Sequence, residues 1–439
     1  MSAEIAVAFP RGVFGRVLPA LTGAALRPLQ ALLSTPQWIF LAALTAMLFR
    51  PPDLQGFPAD RIAFAVLLVA VALRLCVQRQ SLHYYPATWP ALALTCLGLL
   101  SVLGQPYAPE AWSVLAAKWL VPSALFHISG YVFRDAGALR KLETFLLVVL
   151  VYLALVSVVF LLGATSWVFP RYILDEGIGI HADRARGPFL QAVANGVSLN
   201  LLGILALDGF RRGRVRGLLA AFLFLLVPLA LLATKTRAVW ASAALSIGYL
   251  LFFGPHRKLR RAAAAFCALA LLSASAALVN EVNSGTLAER LEDRSPLAFR
   301  SEMYQAGWQM FLEKPLTGWG PDALIQPEIA RRVRSFRPEY YIFHNTYLEL
   351  AVQRGVLGLL LYVWLMVCFL RLSRPKNAPG ITAEFPDRNF RRLWPLVLAI
   401  YLINASVVVM NYQFVNGLLF TFAGILSSQD RIAPGLKGS

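Results

Sequence analysis

The residues best suited to chemistry are one histidine and a set of scattered arginines. His344 stands at the start of a hydrophobic run, in Phe343-His344-Asn345-Thr346-Tyr347-Leu348-Glu349-Leu350. Imidazole titrates near neutral pH, so it can take a proton from a hydroxyl with little tuning. A positioned general base is worth roughly 10²- to 10⁴-fold in rate. Tyr340, Tyr341 and Tyr347 could orient it or line a sugar site, and Asn345 is a further possible substrate contact. The competing reading of His344 is a histidine capping a helix at an interface. His83 and His256 fall on the expected inner side and His127 near the inner end of its run; His181 falls outside and stays open.

The arginines suit phosphate, because guanidinium stays charged and offers a planar fork of donors that matches phosphate oxygens. Arg237, Arg300 and the pair Arg184 and Arg186 come from three separate segments, all expected on one face. Lys235 sits beside Arg237, and Asn195 lies close to the first cationic segment. Taken singly, each arginine could equally be a solvated charge or a lipid-headgroup contact, and Asn195 an interhelical hydrogen-bonding residue. The chain has no Gly-x-x-x-x-Gly-Lys-Ser/Thr loop, no Asp-x-Asp and no His-Glu-x-x-His, and its five histidines are far apart. The expected chemistry therefore uses no nucleotide, no metal and no cofactor.

These residues must be held by membrane helices. The 439 residues are 58% hydrophobic and only 15% charged, against about 25% charged in soluble domains. An all-α polytopic membrane protein follows. The net charge of +18 would suggest nucleic acid in a soluble chain; here the positive-inside rule accounts for much of it and nucleic acid is set aside. Cys76, Cys96, Cys267 and Cys368 are single, inside apolar runs, and read as small buried hydrophobes.

The apolar runs predict about twelve transmembrane helices, at 36–50, 60–77, 86–103, 110–128, 143–163, 188–207, 217–233, 238–254, 259–279, 345–370, 392–410 and 413–428. Only Asn411 and Tyr412 separate the last two. The expected division is a cytoplasmic or interfacial N-terminus over 1–35, with an interfacial helix in 16–34, helices 1–9 over 36–279, a periplasmic loop over 280–344, helices 10–12 over 345–428 and a cytoplasmic tail over 429–439. Lys and Arg crowd the alternate short loops at 134–141, 211–216, 257–261 and 371–392 and are absent from 51–59 and 104–110. That asymmetry places both termini inside and leaves 164–187, 234–237 and 280–344 outside. Within the long loop, Phe299, Met303, Ala306 and Met310 predict an amphipathic helix over 299–313, ended by Pro315 and Gly318. The loop is expected to lie on the outer leaflet as a lid.

At these residues the chain resembles the O-antigen ligase and O-antigen polymerase superfamily of bacterial membrane glycosyltransferases. The resemblance rests on Arg184-Ala185-Arg186-Gly187-Pro188-Phe189 with Asn195, on Thr234-Lys235-Thr236-Arg237-Ala238-Val239-Trp240, on Arg300 with Trp308, Pro315, Gly318 and Gly320, and on His344 to Glu349 with Gly355 and Gly358. It covers residues 184–358. It implies about twelve helices with a large periplasmic loop between the ninth and tenth, in the bacterial inner membrane. It also implies glycan transfer from undecaprenyl pyrophosphate to an acceptor hydroxyl, a lipid A-core sugar in the ligases. The family's essential arginines and histidine fall on Arg237, Arg300 and His344, with Arg186 a looser match. The polymerase, a protein oligosaccharyltransferase of the same superfamily, and an anion or lipid transporter are the rivals. A transporter would need ionisable residues at mid-membrane, and none stands out from the sequence.

Overall fold

The computed structural model describes residues 35–50, 58–78, 80, 83–254, 256–283, 295–334, 341–374 and 385–430. Among them the regular structure is helical. A helix falls on every expected hydrophobic segment: α1 Pro36–Leu48, α2 Ala59–Val77, α3 Thr88–Leu103, α4 Pro109–Val132, α5 Ala136–Leu161, α6 Ala192–Arg211, α7 Gly217–Ala233, α8 Arg237–Phe253, α9 Arg257–Asn283, α12 Thr346–Arg371, α13 Arg388–Ala405 and α14 Gln413–Gln429. Between α9 and α12 lie α10 Ser295–Glu313 and α11 Asp322–Arg332. Four of these helices, α4, α5, α6 and α12, are long and apolar enough to cross a membrane, and α1, α3, α7 and α8 are shorter apolar helices.

Local chemistry sets the helix ends. Asp135 accepts the Ala138 N–H at 2.8 Å and caps α5, so this helix starts before residue 143, where the apolar run begins. Asp387 caps α13 in the same way through Phe390. The sixth segment starts later than expected, at Ala192, because Gly187–Phe189 forms a 3₁₀ turn around Pro188 and Leu190 takes a left-handed conformation. The link between the last two helices is longer than two residues. α13 stops at Ala405, and residues 406–412 join it to α14.

α14 is the axis of the fold: every residue from Phe414 to Gln429 is buried. It packs closely on α4 through small residues. A side chain at Gly424 would overlap the Phe126 carbonyl, and one at Gly130 would meet Ser428. At the far end of α6 from the cationic loops, Arg212 pairs with Glu143 and, at 2.8 Å, with Asp208. Arg211 joins Asp208 at 2.8 Å to Asp387 at 2.5 Å. This network ties α5, α6 and α13 together.

The segment before α12 has its own small core. Met303, Ala306 and Met310 on α10 pack with Ile325 and Ile329 on α11, Tyr341, Phe343 and Val352. The expected amphipathic face is therefore the buried one, although α10 begins earlier, at Ser295. α11 was not legible in the sequence, where Pro327 and the terminal Arg331 and Arg332 obscure its apolar face. Tyr340, Arg290, Arg294, Arg337, the N-terminal segment 1–34 and residues 431–439 lie outside the described residues.

This small core locks onto α12 at a break. Gly355 has φ 62° and ψ −163°, a region open in practice only to glycine. The strap 315–320 fills the break: Val356 N–H donates to the Pro315 carbonyl at 2.7 Å, Trp319 N–H to Val352 at 2.8 Å and Gly320 N–H to Gln353 at 3.0 Å. A side chain on Gly355 would overlap Leu316, and one on Gly318 would overlap Gln353 and Arg354. Gly355→Ala is expected to lose about 1–3 kcal/mol or more from backbone strain. Gly248→Ala, with open space at that position, should be near neutral. Thermal unfolding of the two detergent-solubilised variants checks this, and equal melting temperatures would remove the strap account.

Candidate active site

The loop 164–191 is built around Arg186, which is 1% exposed. Its Nε donates to the Ile173 carbonyl at 2.9 Å, its Nη1 to Ile178 at 2.6 Å and its Nη2 to Asp175. One guanidinium thereby gathers three carbonyls of a segment that has short 3₁₀ turns but no α-helix. Asn195, 0% exposed at the start of α6, donates from Nδ2 to the Ala185 carbonyl at 2.8 Å and to Ser157 Oγ at 2.9 Å. Gly187, at φ 56°, leaves the space that Asn195 fills.

The second cationic segment is bolted to the first. Ala185 N–H donates to the Ala233 carbonyl at 3.0 Å, where α7 ends. Thr236 Oγ1 donates back to Thr234, Trp240 Nε1 donates to Leu231 at 2.8 Å, and Lys235 takes a left-handed φ of 46°. The turn sets Arg237 as the first residue of α8, exposed and without an ion pair among the described residues.

His344 closes the site from the third segment. It stands just before α12 with a left-handed φ of 51°, half-buried, its ring edge-on to Phe299 at 6.3 Å. Asn345 caps α12, its Oδ1 accepting the N–H groups of Tyr347 at 2.9 Å and Leu348 at 3.1 Å. Thr346 fixes the same turn, donating to the Val408 carbonyl at 2.8 Å and accepting Met410 N–H at 3.0 Å. Burial, then the Arg300 charge and then His181, push the His344 imidazole down to about 4. His181 is lowered by burial, by Arg184 and by Arg300, against an opposing pull from Asp183. These fields group His181, Arg184, Arg300 and His344 as one candidate site. They also amend the expectation that His344 titrates near neutrality: beside Arg300 it is held neutral well below that pH.

The expected site residues thus divide by placement. Arg300, exposed on α10, and His344 act on each other electrostatically; Arg237 is presented on the link bonded to the Arg184 loop, and Lys235 is half-buried there. Arg184 is half-buried, 3.8 Å from Asp183. Arg186 spends its donors on backbone carbonyls, Asn195 Nδ2 and Asn345 Oδ1 are engaged by backbone and Ser157, and Asn195 Oδ1 is buried with no partner among the described residues. Tyr341 is buried against Gln326, which its N–H meets at 2.8 Å. The Tyr347 hydroxyl donates to the Leu402 carbonyl at 2.9 Å. His181 carried no motif in the sequence beyond its expected side of the membrane. It stands exposed at a left-handed φ of 53° in a loop whose shape depends on Arg186. The structure also holds ionisable groups deep in the bundle: Lys118 on α4 pairs with Glu349 on α12, both side chains about nine-tenths buried.

The fold and site define an all-helical protein of membrane type, with a cationic, histidine-bearing site carried on the links between its helices. Residues 220–363, about a third of the chain, match the family model described as O-antigen ligase. The matched stretch runs from α7 into α12 and holds Arg237, Arg300 and His344; Arg184, Arg186, His181 and Asn195 precede it. A search of curated proteins finds no match.

Proposed function

We propose that this protein is an O-antigen ligase of the bacterial inner membrane. It transfers a glycan from undecaprenyl pyrophosphate to a sugar hydroxyl of lipid A-core, in lipopolysaccharide assembly. The observation that carries the reading is the packing of His344 against the helix that bears Arg300, through the Phe299 ring at 6.3 Å and the Tyr304 hydroxyl donating to the His344 carbonyl at 3.3 Å, within the matched stretch. The asymmetry of Lys and Arg supports both termini in the cytoplasm and this site on the periplasmic face, with α10 and α11 in the loop between the ninth and tenth of twelve spans.

In this mechanism Arg237, Arg300 and Arg184 hold the pyrophosphate. Arg186 shapes the loop that presents Arg184 and His181. His344 takes the proton of the acceptor hydroxyl as its oxygen bonds to the anomeric carbon. The bond from that carbon to the phosphate oxygen breaks, and the electron pair leaves on undecaprenyl pyrophosphate, with inversion. Preorganised cations stabilise that developing charge. The same anion offsets the Arg300 field at His344 and raises its basicity when the donor binds, so the base strengthens as the complex forms. His181, also neutral, accepts a hydrogen bond from the acceptor.

This predicts a particular pH dependence. The lowered pKa means the neutral base is present above about pH 4 in the free enzyme. kcat/KM, which reports the free enzyme, should hold steady from pH 8 to 5 and fall with a midpoint near 4. kcat, which reports the complex, should show a higher midpoint. An acid limb in kcat/KM at the ordinary histidine value would contradict this account. The function itself is tested with purified protein, undecaprenyl-pyrophosphate glycan and lipid A-core, without ATP and with chelator. Glycosylated lipid A-core is expected. Lengthening of the donor glycan instead would make it the polymerase, and no transfer to any acceptor by folded protein would favour a transporter.

A further inference from the structure

α12 is two helices joined at Gly355, and its first part, Thr346–Arg354, is the piece that carries His344. On one side the strap 315–320 grips this half-helix, and Gln353 Nε2 donates to Asp322 Oδ1 at 2.8 Å. On the other side Glu349, one turn in, meets Lys118. Lys118 lies in a π-helical turn, Ala116–Leu120, which interrupts α4. The Ala117 carbonyl in that turn accepts the Asn416 Nδ2 donor of α14 at 3.0 Å. Single π-turns inside α-helices recur at functional sites.

Around the pair, Thr346, Gln353, Tyr362, Tyr401 and Asn416 line a cavity of about 20 Å³, enough for one water. The Tyr362 hydroxyl, buried near that of Tyr401, belongs to the same pocket. An ion inside a bundle needs its partner, so Glu349 has one low-energy place along α4. A slip by one residue would turn the half-helix by about 100° and shift it by about 1.5 Å. A misplacement of about 1 Å at a reacting group can cost about 10²-fold.

We propose that Lys118 and Glu349 are positioning residues for His344: their buried pair sets the register of the half-helix Thr346–Arg354, so that His344 faces Arg300. The proposal rests on the reading of His344 as the base. It is tested in the full-length, detergent-purified protein with Glu349→Asp, Glu349→Gln and the double replacement Lys118→Met/Glu349→Met. Removing both charges avoids orphaning either member of the pair, although the half-buried Arg354, whose charge Glu349 also offsets, loses that field, and Glu349→Asp is the variant that keeps it. Three quantities are read: melting temperature, kcat and KM for glycan transfer, and the rate at which diethyl pyrocarbonate modifies His344, followed by peptide mass spectrometry with His256 as internal reference.

The double variant is expected to stay folded, keep KM within about threefold and lose about 10- to 100-fold in kcat, with a changed His344 modification rate. A folded double variant with wild-type kcat and wild-type modification rate overturns the proposal. Should the double variant not fold, Glu349→Asp decides, because it keeps the charge and shortens the reach. A lower kcat with altered His344 modification supports positioning, and wild-type values of both overturn it. Retention of transfer by His344→Ala would sink the base reading alone, because the modification rate still reports where His344 sits.

Discussion

His344→Ala is expected to reduce glycan transfer by about 10²- to 10⁴-fold, the worth of a positioned general base, in protein that remains folded. The fold should tolerate the change because the side chain is half-buried and its ring contacts Phe299 alone among the described aromatic rings. The backbone is the weaker point. φ is 51° here, and a left-handed residue other than glycine is best supplied by asparagine. His344→Asn therefore keeps the turn and removes the base, and it should lose as much rate as the alanine variant. Single-turnover transfer on donor-saturated enzyme makes the comparison, with melting temperature measured alongside. Loss in alanine but not asparagine would make His344 a turn residue. Survival of transfer in both would leave the proton without a carrier on this residue and move attention to His181.

The second large effect is expected at the arginines. Arg237→Ala and Arg300→Ala should each lower transfer by about 10²- to 10³-fold, the cost of removing one preorganised donor from a developing oxyanion. Lysine should restore either only in part, since it lacks the planar fork. Both side chains are exposed and make no ion pair among the described residues, so their removal leaves no buried charge behind. The two differ in one respect. Arg300 lowers the His344 pKa and Arg237 is not among the causes of that shift. The sign follows: without Arg300 the pKa rises, and the acid limb of kcat/KM moves up from about 4. Arg237→Ala should leave that limb in place. Equal limbs in the two variants would show that Arg300 does not face His344, and wild-type rates in both would end the pyrophosphate assignment.

Much of the architecture was legible because it is set by local chemistry. An apolar run of sufficient length forms a helix in any context that lacks water, and each expected run is one. The Arg184, Arg237, Arg300 and His344 segments could be nominated because charge between apolar runs needs a reason. Pro315, Gly318, Gly320 and Gly355 could be marked, but not explained, since the strap they form joins residues about 35 positions apart along the chain. The same limit hid α11, whose apolar residues make sense only beside α10.

The sequence by itself determined the helical membrane character and the positions of the hydrophobic segments, and it nominated the histidine and guanidinium groups for the proposed chemistry. Those follow from hydropathy, charge and side-chain type, which every residue carries with it. The tertiary structure decided which groups share a space. It turned Arg186 inward to three carbonyls, drew His181 toward His344, and matched Lys118 to Glu349 across two helices. Such pairings depend on where folded helices meet, and burial then decides them. A guanidinium surrounded by carbonyls becomes a brace, whereas one left exposed on a loop stays available to an anion.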